Sequence, residues 1–173
     1  MVRAMFVTPP AGVPMSMLTR IEAALEHHFT LTNTHSAPPR LMAAMRHAVF
    51  PGGARIRPQL CLAVAKACGE DDAALTDAAA IAIELMHCAS LVHDDMPCFD
   101  DADIRRGQVT VHKQFGEPLA LLTGDALIVM AYQVLARSGR QHPARLVELL
   151  GTISDGVGAP DGIVAGQAWE CET

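Results

Sequence analysis

The stretch from Asp72 to Asp95, DAALTDAAAIAIELMHCASLVHDD, constrains the fold more than any other part of the chain. Asp71 or Asp72 is placed to cap a helix. The helix should run to about Asp95, where Pro97 ends it. Its middle is apolar nearly all round, and such a helix is buried on most sides. Further helices must therefore wrap around it. The hydrophobic content of 50% with only 4% aromatic residues supplies a core of Ala, Leu, Val, Ile and Met, a set that favours helices over strands.

The rest of the chain has the punctuation for such helices. Apolar residues recur with helical period at Leu18, Ile21, Leu25 and Phe29. Pro38 and Pro39 open a second helix with Leu41, Met42, Met45 and Val49 on one stripe, and Pro51-Gly52-Gly53 stops it. Pro58 marks the start of a third helix at about its first position, with Gly69 as its closing glycine. Thr110 is placed to cap one short turn, and Pro118 starts an apolar helix reaching Arg137, stopped by Ser138 and Gly139. Pro143 starts a further stretch that Gly151, Gly156, Gly158, Pro160 and Gly162 should interrupt before it resumes from Ile163 to Trp169. No strand-like alternation, repeat or low-complexity stretch is visible. The reading is all-α: a tail over residues 1–16 and one domain over 17–173.

Bulk properties exclude several functions. A net charge of −6 without a basic stripe argues against nucleic acid as a partner. The start MVRAMFVTPPAG is broken by prolines and does not read as a signal peptide. The two most apolar stretches carry Glu84 and His87 in one case and Asp125 in the other, so no membrane span is expected. Five cysteines without a Cys-x-x-Cys spacing fit reduced thiols in a cytoplasmic protein.

Chemistry concentrates where the central helix ends. Asp94, Asp95, Asp100, Asp101 and Asp103 fall within ten positions, and Arg105 and Arg106 follow. A run of Asp in a loop is usually a solvated surface, but this run closes a long apolar helix. Mg²⁺ is a hard cation held by one or two carboxylates plus substrate phosphates. Paired arginines add planar donor forks suited to phosphate oxygens. Asp94 and Asp100 are the expected metal ligands, ahead of Asp95 and Asp101. His87 lies two helical turns before Asp94 on the same side, in reach of a phosphate, whereas His93 is one residue off that line and reads as structural. In Gly52-Gly53-Ala54-Arg55-Ile56-Arg57-Pro58, backbone N–H groups before a helix N-terminus form an anion site, with Arg57 aimed at it. Gly124-Asp125 is odd inside an apolar helix, because a buried Asp needs a partner. Gly166-Gln167 is a polar spot placed to line a cavity. There is no Ser-His-Asp pattern, P-loop or dinucleotide fingerprint. The pieces describe a magnesium site for lipid-like diphosphate esters.

These residues carry a family likeness over roughly 17–173. GGARIRP resembles the GGKRxRP of the trans-isoprenyl diphosphate synthases, the farnesyl and geranylgeranyl diphosphate synthases. LMHCASLVHDDMPCFDDADIRRG resembles their first aspartate-rich region, and FGEPLALLTGDAL and AGQAWECE are similar to further family segments. The likeness is strongest to the geranylgeranyl diphosphate synthases of photosynthetic bacteria. It implies an isoprenoid-synthase bundle, Mg²⁺ on Asp94 and Asp100, and Arg105 on the allylic diphosphate. It places Arg106, Arg57 and His87 on isopentenyl diphosphate, with Gly53, Arg55 and Gln167 as further substrate contacts. Small side chains at Ala89 and Ser90 imply a C20 product, and the stretch 118–137 resembles a homodimer helix.

Two departures stand out: Ala54 replaces the family's lysine, and neither the second aspartate-rich motif nor the Lys-Thr pair occurs in these 173 residues. The resemblance therefore implies the N-terminal part of a longer synthase, inactive by itself. A non-catalytic partner subunit is the first alternative. A terpene cyclase is the second, disfavoured because it needs neither the GGxRxRP turn nor paired arginines.

Overall fold

The computed structural model describes residues 16–50 and 53–172, and it is built of helices around one central rod. Helices α1 (Met17–Thr32), α2 (Pro39–Val49) and α3 (Ile56–Ala67) lead to α4 (Ala73–Asp94). A two-stranded hairpin, β1 (Ile104–Arg105) and β2 (Gln108–Val109), follows. Then come α5 (Val111–Phe115), α6 (Glu117–Ser138), α7 (Pro143–Val157) and α8 (Ile163–Cys171).

The central helix forms as its sequence dictates. Asp72 accepts from Leu75 N at 3.0 Å and caps α4, and Asp95 closes it. Ala78, Ile81, Ala82, Leu85, Met86 and Ala89 are all buried, in one core with Leu25 and Phe29 of α1 and Leu127 and Val134 of α6. Burial of apolar surface at about 25 cal/mol per Å² makes this core the main source of stability. α4 and α6 are each long and apolar enough to cross a membrane by length and composition, and 67% of the apolar window of α4 is buried inside the fold.

Gly124 explains how closely α4 and α6 approach. A Cβ there would overlap the His93 ring, whose Nε2 contacts Leu121 O at 3.2 Å. His93 thus packs the two helices together, the structural role expected of it. Asp125 departs from expectation: it is exposed, 3.9 Å from His93, and needs no buried partner.

Other differences have local causes. Helix α3 starts two residues before Pro58. Gly151 and Gly156 do not break α7, which ends only at Gly158; neighbouring apolar residues Leu146, Leu149, Leu150 and Ile153 pack it onto the core and outweigh the glycine penalty. Thr110 precedes α5 without a side-chain cap, because its hydroxyl donates to Ala102 O at 2.7 Å instead. The hairpin contradicts the absence of strands. Two-residue strands carry too little pattern for alternation to show. Ser16 caps α1, accepting from Thr19 N, and the rest of the expected tail lies outside the described residues, as do Pro51, Gly52 and Thr173.

Candidate diphosphate site

The acidic loop folds back over the end of α4. Asp100 N donates to Asp94 O at 2.9 Å, Asp101 N to Met96 O at 3.1 Å and Ala102 N to Asp95 O at 3.1 Å. These bonds bring Asp94 and Asp100 to one side, as their spacing suggests. Arg105 fills the space between the carboxylates: Nη2 lies 2.6 Å from Asp95, 3.3 Å from Asp94 and 3.9 Å from Asp100. Asp95 is buried beneath Arg105, so it anchors that guanidinium, whereas Asp94 is half-buried and Asp100 exposed. Asp101 turns away with a left-handed backbone, pairing with Lys113 at 3.2 Å beside His112. Arg105 and Lys113 thus engage Asp95 and Asp101 within the fold.

Burial pushes the Asp94 carboxyl above its ordinary pKa, and the negative charges of Asp100, Asp95 and Glu170 add to the rise against Arg105. Glu170 near the end of α8 therefore faces this cluster, which spacing alone did not reveal. Gln167 is half-buried one turn earlier on α8. Among the described residues, no three His, Cys, Asp or Glu side chains converge to hold a metal by themselves.

The hairpin explains why two adjacent arginines are useful. Arg106 and Gly107 both have positive φ, 54° and 78°, as a two-residue type I′ turn requires. Gly107 adopts that conformation freely; Arg106 is held in it by the turn. The reversal sends Arg105 to the aspartates and Arg106 to the opposite side. There the Arg106 Nη2 lies 3.2 Å from His87 Nε2. Its guanidinium also packs on Gly53, where an added Cβ would stand 2.9 Å from Cζ. Burial lowers the His87 pKa, and the nearby Arg57, Arg106 and Arg105 charges lower it further. Gly53, Arg57, His87 and Arg106 thus form a cationic group beside the acidic one.

Two expectations need correction. Arg55 does not face this group. Its guanidinium is fully enclosed, paired with Glu22 at 2.8 Å and Glu84 at 2.7 Å. Only a missing carboxylate partner could have shown this in sequence, and Glu22 and Glu84 lie too far away along the chain to signal it. Ala89 does not floor an open tunnel: it is 1% exposed and packed in the main core, and Ser90 donates to His87 O at 2.9 Å. The large apolar cavity, about 870 Å³, opens instead between α3, α4 and α7, with Arg57 at its edge and Leu60, Val64, Leu75 and Leu149 among its walls.

Fold and site together define an all-α protein with carboxylates and cations arranged on two sides of one hairpin. The Polyprenyl synthetase family profile matches residues 38–173. A geranylgeranyl diphosphate synthase of Cereibacter sphaeroides is 55% identical over 159 residues, which cover 92% of this chain and 55% of that protein. One of Rhodobacter capsulatus is 53% identical over the same shares. A crystal structure of a geranyltransferase from Legionella pneumophila superposes with a TM-score of 0.82 at 33% identity, covering 89% of this chain and 53% of that one. The chain belongs to the polyprenyl synthetase family, whose members are generally magnesium-dependent. It spans about half the length of the curated relatives it matches.

Proposed function

We propose that the natural protein carrying these residues is a prenyltransferase. It condenses isopentenyl diphosphate with an allylic diphosphate to give geranylgeranyl diphosphate. The observation that carries this reading is the hairpin, which hands Arg105 to the aspartates and Arg106 to His87 within one site. Two diphosphates need two grips, and the chain offers two of different chemistry.

The donor set fits Mg²⁺. Asp94 and Asp100 offer hard oxygen ligands, and the negative charges of Asp100, Asp95 and Glu170, which add to the effect of burial on the Asp94 pKa, are what a bound dication would relieve. Two carboxylates leave coordination positions for diphosphate oxygens. Bound there, Mg²⁺ supplies charge neutralisation for the departing pyrophosphate. Asp94 and Asp100 orient the allylic diphosphate, and Arg105 adds donors where leaving-group charge develops. Arg57, His87 and Arg106 hold the second diphosphate without metal. The allylic C–O bond ionises, the isopentenyl double bond attacks the carbocation, and the departing pyrophosphate removes the proton. No protein base is required for this step.

The C20 product is supported by the names of the relatives. A homodimer through α6 is part of the proposal, supported by exposed Leu121, Leu122 and Val129 on that helix. A cytoplasmic location is supported by five free thiols. The test is to incubate the natural protein with Mg²⁺, isopentenyl diphosphate and farnesyl diphosphate, and to identify products by mass spectrometry. Geranylgeranyl diphosphate is expected; unchanged substrates refute the proposal.

A further inference from the structure

Arg55 leads into α3 with a left-handed backbone, φ 49° and ψ 36°, a conformation uncommon outside glycine. Its side chain explains why glycine does not stand there. Nη1 donates to Glu84 Oε1 at 2.7 Å, Nε to Glu22 Oε1 at 2.8 Å and Nη2 to Val49 O at 2.8 Å. The Arg55 and Glu84 side chains are 0% and 2% exposed. One guanidinium thereby ties α1, the end of α2 and α4 to the turn between α2 and α3.

The position of this knot matters. Arg55 stands two residues after Gly53 and two before Arg57. Glu84 stands three before His87, one helical turn along the same side of α4. The Arg106 guanidinium rests on Gly53 and meets His87. A buried ion pair is weak support for stability, and fixing register is its best-attested use.

We propose that Arg55 and Glu84 are positioning residues for the cationic side of the diphosphate site. They hold the Gly53–Arg57 turn in register with His87 and Arg106, so that these groups grip a diphosphate without metal. The inference rests on the two-sided site proposed above. It goes beyond that reading by giving a buried pair, which touches no substrate, control over one side only. A misplacement on the order of 1 Å can cost about a hundredfold in a positioned site.

The test uses the natural protein and inorganic pyrophosphate, titrated calorimetrically with EDTA and then with Mg²⁺. Glu84→Gln, Arg55→Lys and the double variant Arg55→Met/Glu84→Leu are compared with wild type. Metal-free affinity is expected to fall about tenfold or more in every variant, while the additional Mg²⁺-dependent binding changes less than about twofold. The double variant removes both charges together, so it should melt close to wild type and still show the metal-free loss. Equal losses in both titrations would reduce the pair to a general structural role and overturn the inference. So would undiminished metal-free binding in a folded variant. Wild-type protein that binds no pyrophosphate in EDTA would overturn the two-sided site itself, a result distinct from wild-type binding that the variants fail to weaken.

Discussion

The two sides of the site solve the problem of charge in opposite ways. On the acidic side, Asp94, Asp95 and Asp100 surround Arg105, which answers part of the charge within the fold, and burial with the remaining negative charge raises the Asp94 pKa. On the cationic side, Arg57, Arg106 and His87 stand together, and burial with the neighbouring guanidinium charges lowers the His87 pKa against the opposing charge of Glu84. Glu84, whose charge acts on His87, is engaged by Arg55. In the proposed reaction, one side would call for a dication before accepting a diphosphate and the other would accept one directly. Ionisation would be needed for only one of the two diphosphates, and this asymmetry would supply the distinction.

The largest expected effect breaks the acidic side. Asp94→Ala in the natural protein should lower kcat by about 10²–10³, the usual loss for one preorganised electrostatic group at ~3–4 kcal/mol. Steady-state kinetics checks it; an unchanged kcat would make Asp94 a surface charge. Next, Arg106→Ala should raise KM for isopentenyl diphosphate roughly ten- to a hundredfold, since a hydrogen bond to a charged group contributes about 1.5–3 kcal/mol. KM for the allylic substrate should move little. An equal rise in both would show that the hairpin does not divide the site.

The wall shared by both sides can be probed through α4. Ala89→Tyr should leave the product at C20, read by mass spectrometry, because Ala89 lines no open tunnel. Because Ala89 is packed in the core, the same change should also cost about 1–3 kcal/mol by overpacking, visible as a lower Tm. A C15 product would return the control of length to Ala89 and away from the cavity below Arg57. A subtler change is Gly53→Ala. Its Cβ meets only the movable end of Arg106, so stability should hold within about 0.5 kcal/mol. KM for isopentenyl diphosphate should still rise a few-fold as Arg106 is pushed off His87.

The smallest effect lies outside both sides and serves as a control. Burial lowers the His28 pKa to about 4, helped by His27 and Arg137. The unfolded chain then takes up a proton at higher pH than the folded one, so the stability present above pH ~6.5 is lost as pH falls toward the folded value. Thermal melts should show this loss, and His28→Gln should flatten it without changing either diphosphate affinity.

Much of this was legible in the sequence because it is written locally. The central helix, its Asp72 cap, the glycine and proline stops and the acidic cluster each depend on residues within a few positions. The division between Arg105 and Arg106 came only with the family resemblance and not from the local pattern, since it arises from a two-residue turn whose strands are too short to show one. Arg55 was misread because its partners lie 33 and 29 positions away and only the fold brings them together. Ala89 was misread for the related reason that a small residue lining a tunnel and one packed against α6 look alike in sequence.

The central claim is that one side grips its diphosphate through a metal and the other does not. Calorimetric titration of the natural protein with each substrate alone, with Mg²⁺ and with EDTA, tests it most directly. The account predicts that the allylic diphosphate binds tightly only with Mg²⁺, while the affinity for isopentenyl diphosphate is the same in both conditions. Equal dependence of the two substrates on Mg²⁺ would contradict it.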